Sequence, residues 1–142
     1  VWRVSPTEYW YPMLPLDHFV ERADVTSFDQ LAFYWNVGWD GLRSILSSLG
    51  IARLFQLSRG NEGDQCDMDV AFLELPVVGS SEMYWTSKSG DWLVYLSHEQ
   101  TVTVAGECLL HAIQEVWPDW QNGLSHEQTG KWPDQLGERL NF

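Results

Sequence analysis

The chain has 142 residues, 44% of them apolar, enough for one packed domain and too few for two of ordinary size. Eight Lys and Arg stand against 20 Asp and Glu, a formal net charge of -12. That balance opposes nucleic acid and anionic membrane surfaces as partners, because phosphate binding draws its affinity from cations, and it favours a basic protein or a metal ion instead.

The negative charge is spread along the chain: residues 1–71 carry 5 basic and 10 acidic groups, and residues 72–142 carry 3 and 10. No apolar run approaches the roughly 20 residues a membrane-spanning helix needs, and Val1 to Pro6 do not read as a signal peptide. Cys66 and Cys108 make no disulfide framework, so a cytoplasmic chain with free thiols is expected.

Residues 1–15, with three prolines and Trp2, Tyr9, Trp10 and Tyr11, read as an extended segment over the domain. Leu16 to Ala23 reads as a short helix. Ser27-Phe28-Asp29-Gln30 has capping-box spacing. Leu31, Tyr34, Trp35, Trp39, Leu42, Ile45, Leu46 and Leu49 then follow a 3.6-residue period up to Gly50, placed as a C′ glycine. Gly38 and Gly41 allow one kinked helix or two shorter ones.

After Gly50 the period changes. Strands are predicted at Ile51 to Ser58, Asp67 to Leu75, Glu82 to Thr86, Trp92 to Ser97 and Thr101 to Ala105, joined by the acidic, glycine-rich loop Arg59 to Gln65 and the hairpin turn Lys88-Ser89-Gly90-Asp91. Glu107 to Trp117 has helical spacing and stops at Pro118. The expected fold is α+β: N-terminal helices, then a four- to five-stranded antiparallel meander and a C-terminal helix. Residues 1–120 form the domain and 121–142 a loose polar tail. Ser97-His98-Glu99-Gln100-Thr101 recurs as Ser125 to Thr129, and Trp117-Pro118-Asp119 as Trp132 to Asp134, at unequal offsets that exclude a repeat architecture.

The chemistry-bearing motifs fail their tests. His98-Glu99 opens like a zinc-protease signature, but the second histidine would have to be at position 102, which is Val102. Cys108 and His111 supply two metal ligands where a zinc site needs three or four, and the plain alternative packs Cys108 as a small apolar residue with His111 on the helix surface. The run Asn61 to Asp69 lacks EF-hand order. Neither a nucleophile elbow nor a phosphate-binding loop occurs. No catalytic residue, cofactor or metal is therefore assigned.

Of the nine tryptophans, Trp35, Trp39 and Trp117 sit on apolar stripes and are expected in the core. In the hairpin, Trp92, Val94 and Leu96 share one face while Leu93 and Tyr95 share the other. Trp85 and Trp120 are expected to be exposed, as anchors for a partner.

Tyr84-Trp85-Thr86, Asp91-Trp92, Tyr95-Leu96-Ser97-His98-Glu99, Thr103, Gly106 and Trp117-Pro118-Asp119-Trp120 together resemble small, acidic, Trp-rich bacterial immunity proteins of polymorphic-toxin and contact-dependent inhibition systems. The resemblance spans residues 16–120. It implies a cytoplasmic antidote that binds a cognate toxin domain and occludes it. A basic toxin fits the charge, with Glu62, Asp64, Asp67 and Asp69 as the electrostatic contact and Trp85 and Trp120 as anchors. An acidic nucleic-acid mimic and a small hydrolase acting on sugars are the alternatives. The first requires regularly spaced carboxylates and little aromatic surface, the second a cleft with perturbed carboxylates.

Overall fold

The computed structural model describes residues 24–58, 65–74 and 82–129. The expected helix at Leu16 to Ala23, the extended segment before it, most of the Arg59 to Gln65 loop and residues 130–142 lie outside these.

Six strands, β1 (Val25–Asp29), β2 (Arg53–Ser58), β3 (Gln65–Asp69), β4 (Met83–Thr86), β5 (Leu93–Leu96) and β6 (Thr101–Ala105), form one sheet in the order β1-β6-β5-β4-β2-β3. Every pairing is antiparallel. Helices α1 (Gln30–Asn36), α2 (Gly38–Ser48) and α3 (Glu107–Val116) accompany it, followed by a single helical turn, α4 (His126–Thr129). The α+β class is as the sequence indicated.

Two features differ from a meander. Residues 25–29 form a strand, with Val25 opposite Ala105 and Asp29 opposite Thr101. Ser27 is thus inside β1 and does not cap a helix. Asp29 takes that role, its Oδ2 accepting from the Ala32 N–H at 3.1 Å. The second difference is that β4 pairs with β2, leaving β3 at the edge. The physical reason is burial. All four side chains of β4 are buried, as are those of β5 and all five of β6, whereas β3 carries exposed Cys66, Asp67 and Asp69. A strand with two ionised side chains on one face is stable at an edge and not in the middle.

The helical stretch after β1 divides at Val37, where Gly38 takes φ +68° and starts α2. Gly50, at φ +80°, follows α2 as the left-handed residue that ends it. On the helix side of the sheet the core is aromatic. Phe33 lies 5.9 Å from Phe28, which lies 5.2 Å from Trp117; Phe33 also meets Trp39 at 6.2 Å, and Trp39 meets Trp85 at 5.3 Å. Trp92, Val94 and Leu96 belong to this cluster. The opposite face buries Val25, Leu57, Tyr84, Leu93, Tyr95 and Ala105, with Tyr84 stacked on Tyr95 at 4.6 Å.

The stretch after Trp120 is not loose where it is described. A 3₁₀ turn at Trp120–Gly123 leads to Leu124, which bridges Phe28. Ser125 then donates its N–H to Ser27 O at 2.9 Å, and Gln128 Oε1 accepts the Ser27 N–H at 3.0 Å. These contacts close the outer edge of β1.

Candidate functional site

The residues singled out for partner binding separate in space. Glu62 and Asp64 lie outside the described residues. Asp67 and Asp69 project from β3 on the face away from the helices. Arg53, on the adjacent strand, holds Asp67 through Nη2 at 2.9 Å, with both side chains more than half exposed. Asp69 Oδ1 accepts from the Ala71 N–H at 2.9 Å and so starts the 3₁₀ turn Val70–Phe72. At this end of β3 an open groove of about 770 Å³ runs between α2 and the start of β2. Ser44, Ser47, Ile51, Asp69 and Ala71 are among its walls. Arg43 also lines it, donating to Leu73 O and to Asp40.

Trp85 is not at the surface. It is 0% exposed, and its Nε1 donates to Gln56 Oε1 at 2.9 Å. The register explains this, since Trp85 faces Gln56 on β2 and Val94 on β5 within the helix-covered sheet. Trp120 is half-buried against the same cluster.

The exposed aromatic residues are elsewhere. Trp35 is 75% exposed and Tyr34 48% exposed. Their rings meet edge to face at 5.5 Å on α1. The spacing that runs from Trp35 into Trp39 predicts Trp35 in the core. The turn at Val37 and Gly38 breaks that phase, so only Phe33 of α1's aromatics turns inward. Gly38 was the available signal. Phe72, 70% exposed, is a further apolar surface residue, beside the groove's Ala71.

A polar cluster joins the two copies of the repeated pentapeptide. In the first, Ser97 Oγ and Thr101 Oγ1 are 2.7 Å apart, closing the β5–β6 turn with Gln100 at φ +64°. In the second, Ser125 Oγ lies 2.8 Å from Ser27 Oγ, and the four residues that follow Ser125 form α4. Identical strings thus adopt a hairpin turn and a helical turn. His126 Nε2 lies 3.8 Å from Glu99 Oε2 across them. His98 does not bond within its turn. Its Nδ1 lies 2.6 Å from Oε1 of Glu82, a carboxylate 4% exposed, while the His98 ring is more than half exposed. This holds the imidazole in one orientation.

Cys108 and His111 are both on the surface of α3, so Cys108 does not pack as a core residue. Among the described residues no group of three or more His, Cys, Asp or Glu is placed to hold a metal ion, and no helix is long and apolar enough to cross a membrane. Those residues contain thirteen carboxylates against Arg43, Arg53 and Lys88. Both arginines are already ion-paired. Comparison with protein-family models, with curated proteins and with solved structures finds no match for the chain.

Proposed function

We propose that the protein is a cytoplasmic immunity protein that binds a basic toxin domain and blocks it by occlusion, without catalysis, cofactor or metal. The observation that carries this reading is the exposed Tyr34–Trp35 pair on a strongly acidic domain. Such a surface attracts a cationic partner over long range and then offers a rigid aromatic anchor for slow release. An aromatic face also receives Lys and Arg through cation–π contact. A nucleic-acid mimic has no use for a solvent-facing tryptophan, which favours the immunity reading over the mimic. Trp35 takes the anchoring role first assigned to Trp85, and the exposed Asp67 and Asp69 keep the electrostatic one.

Co-expression with the domains encoded by the flanking genes tests the proposal. Protection of the cell, retained by His98→Ala and weakened by Trp35→Ala through faster dissociation, is the expected result. Failure of the intact chain to protect rejects immunity. Loss of protection in His98→Ala with toxin binding intact would favour a catalytic role for the Glu82–His98 pair.

A further inference from the structure

The two edges of the sheet are treated differently. β1 is closed by Leu124, Ser125 and Gln128. The described residues place no strand beside the outer edge of β3, and Cys66, Asp67 and Asp69 are exposed there.

The hydrogen-bond phase of β3 follows from one bond. Val70 N–H donates to Ala52 O at 2.9 Å, and these residues continue the register in which Arg53 faces Asp69. Directly opposed residues of an antiparallel pair alternate between bonded and non-bonded. Cys66 and Met68 therefore direct their backbone groups at β2, while Gln65, Asp67 and Asp69 direct theirs outward. The Cys66 thiol, 3.9 Å from Asp67 O, is a weak contact, and among the described residues no stronger bond reaches the backbone of this edge. The outward backbone thus coincides with the two carboxylates.

We infer that β3 receives an extended basic segment of the partner as a seventh strand, with Lys or Arg at alternate positions opposite Asp67 and Asp69. This rests on the binding reading above and gives its mode. Strand addition supplies affinity through main-chain bonds and specificity through alternate side chains, and opposite charges directly across a pair are favourable. The same charges oppose a second copy in the two central registers. A two-fold axis at Asp67 sets that residue against itself, and one at Met68 sets Asp67 against Asp69.

The probe is a synthetic peptide, acetyl-Lys-Val-Lys-Val-Lys-amide, added to the full chain at low salt, with amide exchange followed by NMR. Slowing of exchange at Asp67 and Asp69 by tenfold or more is expected, as is loss of binding when alternate peptide nitrogens are methylated. Asp67→Asn combined with Asp69→Asn should weaken the peptide about tenfold, the exchange pattern remaining. Equal binding by the methylated peptide, no binding at all, or protection confined to Tyr34 and Trp35 would each overturn strand addition. Protection at Asp67 and Asp69 by the peptide, from a chain that fails to protect cells, would reject immunity and leave the strand site standing. Protection of cells, with the toxin slowing exchange only around Trp35, would do the reverse.

Discussion

Gly123 leaves the space that the ring of Trp117 occupies. A Cβ on Gly123 would lie 2.2 Å from Cη2 and 2.4 Å from Cζ2 of that indole, and 3.1 Å from Cβ of Ala32. Trp117 in turn packs on Phe28 of β1. One glycine after the last long helix thus lets the C-terminal turn close over the aromatic core.

Gly123→Ala should therefore displace Trp117 and destabilise the fold by about 1–3 kcal/mol, the range for overpacking a filled core. Urea unfolding followed by tryptophan fluorescence measures this. A stability unchanged from the parent would show that the ring relocates freely.

Trp85 and Trp35 should respond in opposite ways. Trp85→Ala removes a fully buried indole from contact with Trp39 and leaves Gln56 without its donor, and a loss of about 3–5 kcal/mol is expected. Trp35→Ala should alter stability by less than about 0.5 kcal/mol, as surface changes do, while speeding release of a bound partner. Denaturant midpoints and dissociation rates on the same two variants decide the assignment.

The closed edge of β1 gives a third expectation. Gln128→Ala takes the acceptor from the Ser27 N–H, a part-buried donor, and should cost about 1–3 kcal/mol. Amide exchange at Ser27 should accelerate well beyond that of Thr103 on the neighbouring strand. Equal acceleration at both sites would mean global rather than edge opening.

Asp67→Asn, by contrast, should shift stability by only about 0–1 kcal/mol, because the Arg53–Asp67 pair is exposed and its attraction is screened by water and salt. Thermal unfolding at low and high salt checks this. A near-neutral result is also what makes the variant usable in binding experiments, where its effect should fall on association rate.

The sequence by itself determined the elements whose signals are local. The change from a 3.6-residue to a two-residue period near Gly50, the turn chemistry at Gly90, the stop at Pro118 and the two-sided burial of Trp92 to Leu96 are all printed in neighbouring residues. The acidity of the surface is equally a property of composition. Tertiary structure decided the rest. Val25 to Asp29 became a strand because β6 offers a partner 72 residues away at the Thr101–Asp29 end and more toward Val25, which no local propensity encodes. Trp35 went outward and Trp85 inward because exposure depends on helix phase after Gly38 and on which strand lies beside β4. The pentapeptide at Ser97 and again at Ser125 states the limit most directly. One string makes a hairpin turn where two strands must be joined and a helical turn where β1 needs an edge cover. Its own preferences differ by less than the packing around it supplies.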